Sequence, residues 1–202
     1  MRLAPTQLAQ VILLASAAFA LTAPAAADEQ VYVATLSGAA ESPPVPSPGT
    51  GSVTVTIDDA TFTMRVQASF ADLVGITTVA HIHCCTALPG AGNAGVVTVT
   101  PTFPGFPGGV TAGTYDSLFD MTLASSWNPA FLTAQGGSTA TAFATLMTGI
   151  EGGAAYFNVH TLAYPSGEIR GFLAPIPEPS TYALMLAGIA LVAGAARRVR
   201  PR

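Results

Sequence analysis

His81 and His83 stand two residues apart in the string Ala80-His81-Ile82-His83-Cys84-Cys85. On a β-strand that spacing points both imidazoles to the same face. Two imidazoles so placed can chelate one metal ion, with zinc or copper the ions such nitrogen donors suit. The third histidine of the chain is His160, in Tyr156-Phe157-Asn158-Val159-His160-Thr161. His81, His83 and His160 together make a candidate metal set. The competing reading is that they hydrogen-bond inside or beside the core.

Cys84 and Cys85 are the only cysteines. They could bond to each other, bridge two molecules, or remain thiols that ligate a soft metal beside the histidines. Adjacent residues hold their Cα atoms closer than an ordinary disulfide does, so a bond between neighbours, although ranked first, is unusual. A second cluster is Tyr164-Pro165-Ser166-Gly167-Glu168-Ile169-Arg170-Gly171. Its Pro-Ser-Gly turn makes a hairpin with His160 and Glu168 on opposite arms. Arg170 is expected to pair with a carboxylate in a structural role.

These residues need strands to position them, and the pattern supplies strands. Val53, Val55 and Ile57 alternate, as do Phe62, Met64, Val66, Ala68 and Phe70, with a turn at Asp58-Asp59-Ala60. Further strands are predicted over Val31–Leu36, Thr78–His83, Val96–Thr100, Ser117–Leu123, Ala155–Thr161 and Glu168–Leu173. Asn128-Pro129 caps a short helix to Ala134. Ser138–Ile150 reads as a second helix, its Phe143, Leu146, Met147 and Ile150 a packing stripe. The Pro-rich stretch Glu41–Gly51 should be extended or mobile. Phe103 and Phe106, in the loop Pro101–Gly113, are expected to fold back on the domain. The expected class is all-β, a Greek-key-like sandwich or barrel with a short helical insertion.

Both ends of the 202-residue chain read as sorting signals. Met1-Arg2, an apolar run from Leu8 to Leu21, and Ala25-Ala26-Ala27 form a secretory signal peptide cut after Ala27. A spanning helix is the alternative, but the run is short for one. At the other end stand Pro177-Glu178-Pro179, an apolar run from Tyr182 to Ala196, and Arg197-Arg198-Val199-Arg200. The arginines would stay cytoplasmic, so this end is expected to form a transmembrane helix during export. The predicted organisation is a signal peptide over 1–27, a β domain over 28–174 and a sorting segment over 175–202.

Between the signals the domain carries Arg65 and Arg170 against ten carboxylates, and the chain has no lysine. A net charge near −8 argues against nucleic acid, whose phosphates need cations. Without lysine there is no lysine nucleophile, and neither a Gly-x-Ser-x-Gly elbow nor a phosphate-binding loop occurs. No enzyme is expected.

Two resemblances sharpen this reading. Pro177 to Arg202 resembles a PEP-CTERM sorting signal: Pro-Glu-Pro, an apolar helix and a terminal Arg cluster, in order. The resemblance implies processing by exosortase, a membrane protease of Gram-negative bacteria that make exopolysaccharide, after a transient stay in the inner membrane. A permanent C-terminal anchor is the alternative. The strings around His81-Ile82-His83, Asn158-Val159-His160-Thr161 and Gly167-Glu168-Ile169-Arg170-Gly171 resemble the CHRD domain, over roughly Val31 to Leu173. This implies an extracellular β-sandwich and no agreed activity. The family often has Gly-Pro after its His-x-His, where this chain has Cys84-Cys85. The His-x-His strand is also similar to that of copper/zinc superoxide dismutases, but three histidines cannot furnish their two-metal set. The expectation is an exported cell-surface or extracellular protein, structural or adhesive and associated with exopolysaccharide; the alternative is a metal-binding or redox protein using His81, His83, His160 and the cysteines.

Overall fold

The computed structural model describes residues 29–176, with 186, 188 and 189 beyond them. The signal peptide over 1–27, and Pro177, Glu178, Pro179, Arg197 and Arg198 of the sorting segment, lie outside the described residues. Among the described residues no helix is long and apolar enough to cross a membrane; the apolar run expected to do so falls outside them.

The fold is all-β with short helices. Among the described residues eight strands follow in chain order: β1 (Glu29–Ser37), β2 (Thr50–Asp58), β3 (Thr63–Ala71), β4 (Thr77–His83), β5 (Gly113–Asp120), β6 (Tyr156–Thr161), β7 (Ile169–Phe172) and β8 (Ala174–Pro175). They form one sheet in the order β4-β6-β7-β1-β2-β3-β5, with β8 also on β1. All pairings are antiparallel. The sheet curls into an open half-barrel, the barrel side of the expected class. The chain leaves β3, crosses to the far edge to lay down β4, and returns to pair β5 with β3.

Alternation builds the concave core. Tyr32, Ala34 and Leu36 of β1 face inward with Val53, Val55 and Ile57 of β2 and Met64, Val66, Ala68 and Phe70 of β3, while residues between them stay wetter. Phe62 departs from this series. It adopts φ 55° in the β2–β3 turn, where Asp58 Oδ1 accepts from the amides of Ala60 and Thr61, and its ring meets Phe143 at 5.0 Å. Phe103 and Phe106 fold back as expected and are buried beside Tyr115 and Phe157.

The helices follow their caps. Asn128 accepts from Ala130 N at 2.9 Å and opens α1 (Pro129–Ala134). Ser138 accepts from Thr141 N at 3.2 Å and opens α2 (Thr139–Glu151). α2 buries Ala142, Phe143, Leu146, Gly149 and Ile150, so the apolar stripe is packing.

Two strand expectations move. The last strand before the helices is Gly113–Asp120 and not Ser117–Leu123, because Asp120 turns the chain by accepting from Thr122 N at 2.9 Å. Val96–Thr100 forms only isolated bridges, His83 to Val96 and Thr98 to Trp127. Hydroxyls take the place of part of the ladder there: Thr98 Oγ1 accepts from Ile82 N at 3.0 Å and Thr102 Oγ1 from Ala80 N at 2.9 Å. Glu41–Gly51 runs without regular structure up to Thr50, tied down by Val45 N on Gly38 O and Ser47 Oγ on Glu168 Oε1.

Candidate metal centre

β6 is buried along its whole length. Its two faces therefore differ in kind. Phe157 and Val159 join the apolar core with Ala80, Ile82 and Ile169. Tyr156, Asn158 and His160 point to the opposite side. The register sets Val79 against His160, His81 against Asn158 and His83 against Tyr156, and Asn158 against Arg170. One polar, buried face thus gathers His81, His83, His160, Tyr156, Asn158 and Arg170. Loops roof it.

Each imidazole is tied by one ring nitrogen to a backbone carbonyl. His81 Nε2 reaches Pro101 O at 2.5 Å, His83 Nδ1 reaches Ala94 O at 2.9 Å, and His160 Nδ1 reaches Pro165 O at 2.9 Å. A carbonyl only accepts, so each of these nitrogens carries the proton. The other three nitrogens, His81 Nδ1, His83 Nε2 and His160 Nε2, are buried and have no partner. The three residues can offer ligand atoms that all lie within 4.8 Å of one another. Burial lowers the affinity of all three rings for a second proton and brings His83 down to about 4. The rings are neutral at neutral pH, each with one nitrogen free of a proton.

The chemistry of that donor set fits a borderline transition metal. Second-atom hydrogen bonds to carbonyls are the usual way a ligating histidine is oriented. Among the described residues the group contains no carboxylate and no sulfur. Cys84 and Cys85 are bonded to each other instead. Cys84 joins the apolar core, and the pair sits against Gly149 of α2, where a Cβ would overlap both sulfurs. The structure therefore brings the three histidines together and leaves the cysteines out of their group.

Around the histidines lies a frame of aromatic and charged groups. Tyr156 stacks on His83 with centroids 4.8 Å apart. Arg170 lies over Tyr156 at 4.6 Å. Its guanidinium donates to Ala40 O, Gly92 O and Asn93 Oδ1, and sits 3.8 Å from Glu41. The carboxylate expected for Arg170 is thus Glu41. Burial pushes Glu41 up to about 7, against the pull of Arg170. Glu168, on the second hairpin arm, accepts from Ser47 Oγ, Val74 N, Gly75 N and Thr161 Oγ1. It ties three loops together beside the site. The sequence signal for Tyr156 and Asn158 was their even spacing, four and two residues before His160; nothing in the sequence marked Glu41.

Two family models match the chain. The CHRD domain family model matches residues 32–173, every strand from β1 to β7 nearly in full. The chain belongs to the CHRD domain family. Directly after it the PEP-CTERM protein-sorting motif matches residues 175–200. A CHRD domain joined to that motif is exported in bacteria by the exosortase-dependent route to the cell surface. No curated protein and no solved structure matches the chain closely enough to count as a relative. The histidine face lies wholly within the CHRD domain, and β8 is where the domain hands over to the sorting motif.

Proposed function

We propose that this CHRD domain binds one transition-metal ion, zinc or copper, through His81 Nδ1, His83 Nε2 and His160 Nε2, and carries it to the surface of a Gram-negative cell. One observation carries the reading: three buried histidines can each bring a ring nitrogen within 4.8 Å of the others, and each has one ring nitrogen without a partner among the described residues. A buried polar atom left unpaired costs about 1–3 kcal/mol, and three together call for a common partner. A bound ion would hold its imidazoles at about 2.0–2.1 Å, which asks the rings to move inward by about an ångström. The role proposed is binding; the group itself holds three imidazoles and, among the described residues, no carboxylate.

The test is the metal content of the full chain, purified in mild detergent without chelator and measured by mass spectrometry. Close to one zinc or copper per chain is expected, and little in His81→Ala or His160→Ala. A wild-type chain free of metal, and unable to take up zinc on titration, would overturn the reading.

A second reading is a structural or adhesive part in an exopolysaccharide matrix. It draws on the outer face of β2, β3 and β5, where Ser52, Thr54, Gln67, Ser69 and Thr114 present hydrogen-bonding groups in register. Co-sedimentation with the cell's own exopolysaccharide, reduced by Thr54→Ala with Ser69→Ala, would support it. Equal sedimentation of the variant would count against it.

A further inference from the structure

We infer that the Cys84–Cys85 disulfide is a redox control on the His83 ligand, opened by exchange with a dithiol and closed by the reverse exchange with a disulfide, which takes up the two electrons and two protons. This rests on the metal-binding reading and adds its regulation. Three observations carry it. The bond follows His83 in the chain without a spacer. The loop 94–96 holds both partners at once: Ala94 O takes the His83 ring at 2.9 Å, and Gly95 O takes the Cys84 amide at 3.1 Å. His83 itself bridges to Val96. A shift of Cys84 is thereby a shift of Gly95, next in the chain to the Ala94 carbonyl that orients the imidazole.

Room for the reduced form is missing on one side and present on the other. The sulfurs rest on Gly149, whose missing side chain is what lets them sit there. Two thiols cannot stay as close as two bonded sulfurs, and α2 blocks movement toward its own backbone. Cys84 is buried, whereas Cys85 is exposed at a shallow groove lined by Thr141, Ala144, Thr145, Thr148 and Ala154. Cys85 is therefore the sulfur that a thiolate can reach. Attack on Cys85 Sγ forms a mixed disulfide and releases Cys84 as thiolate. The second thiol of the reductant then attacks its own bonded sulfur, frees Cys85, and leaves as the oxidised disulfide. Two electrons and two protons pass from the dithiol to the pair. Cys84 moves off its seat, and the Ala94–Val96 segment follows.

The first measurement is thiol release from the full native chain treated with dithiothreitol under argon. Two thiols per chain without denaturant are expected; release only in urea would overturn the proposal. Cobalt(II) is then titrated, by its visible spectrum, into the oxidised chain, the reduced chain freed of reductant, and Cys84→Ser with Cys85→Ser. Outer contacts of a ligand are typically worth 10–100-fold in metal affinity, so at least a tenfold weakening is expected in both reduced forms. Equal affinity in the oxidised and reduced chains would overturn the switch. If the oxidised chain takes no cobalt, the metal reading has failed, and the switch is decided by nitrogen NMR of the rings. Reduction should then move the His83 resonances and leave those of His160. Unmoved His83 resonances would refute it.

Discussion

Tyr156 lies flat against His83, the planes within 5° and the centroids 4.8 Å apart. Its hydroxyl lies 3.4 Å from the same Ala94 carbonyl that takes the His83 ring. Tyr156 is therefore both wall and brace for that imidazole. Tyr156→Phe keeps the wall and should change zinc affinity by less than about tenfold. Tyr156→Ala removes a buried ring, at about 3–5 kcal/mol of stability, and should weaken zinc binding by 10-fold or more. Competition titration against a zinc chelator, with urea melts alongside, separates the two effects.

Two buried groups on this face respond to pH in opposite directions. The folded pKa of His83 is lowered from 6.5 to about 4, so the folded state binds fewer protons than the unfolded one in that range. Its contribution is full above pH 6.5 and is lost as pH falls toward 4. Glu41 is raised from 4.5 to about 7; the folded state there holds a proton that the unfolded state has released, and stability is lost as pH rises from 4.5 to 7. In metal-free protein, the stability difference between wild type and His83→Gln should shrink on acidification from pH 6.5 to 4. That between Glu41→Gln and wild type should grow from pH 4.5 to 7. Each change is on the order of 2–3 kcal/mol. Urea denaturation at stepped pH reads both, and flat differences would contradict the burial argument.

Glu168 is fully buried and accepts four hydrogen bonds, from Ser47, Thr161 and the amides of Val74 and Gly75. Burial alone would raise its pKa, but the hydrogen bonds outweigh it and hold it below the ordinary value. Glu168→Gln turns an amide toward donors and should cost about 3 kcal/mol. Thr161→Val, which removes one donor, should cost about 1–2 kcal/mol. Similar melting of the glutamine variant and wild type would mean the loops are held by something else.

Gly149 offers a cleaner test of how α2 seats the disulfide. Gly149→Ala should cost about 1–3 kcal/mol, the usual range for overpacking, because the new methyl overlaps both sulfurs. In Cys84→Ala with Cys85→Ala the same change should cost much less or stabilise, since alanine favours a helix over glycine by about 1 kcal/mol. A double-mutant cycle in urea measures the coupling, and additivity would show that the helix and sulfurs are independent.

Much of this centre was legible because strands write their faces at every second residue. His81 and His83 had to share a side, and Tyr156, Asn158 and His160 had to share another series. What brought the two series together was the pairing of β4 with β6, across a stretch that holds β5 and both helices. No local pattern encodes that partner choice. The carbonyls of Pro101, Ala94 and Pro165 were equally hidden, because a backbone acceptor has no letter of its own. Val96–Thr100 looks like a strand by its alternation, yet Thr98 offers a hydroxyl where a ladder carbonyl would accept, and the segment stays a cover for β4. The helix caps at Asn128 and Ser138 could be read because capping depends only on neighbours in sequence.

The pairing of β8 with β1 has a consequence for orientation. Ile176 N donates to Val31 O, and Pro175 lies against Tyr32, so the sorting motif departs beside the Glu29 end of β1. The other end of that strand, Ser37, abuts Arg170 on the histidine face. Nine residues of strand separate the two, roughly 25–30 Å. Whatever grips the chain beyond Ile176 holds the domain by one pole. The row of paired residues Ser37, Arg170, Asn158 and His81 crosses the sheet from the other end of that strand. A pull on the chain beyond Ile176 thus acts first on the β8–β1 pairing and not on the strand row that carries His81.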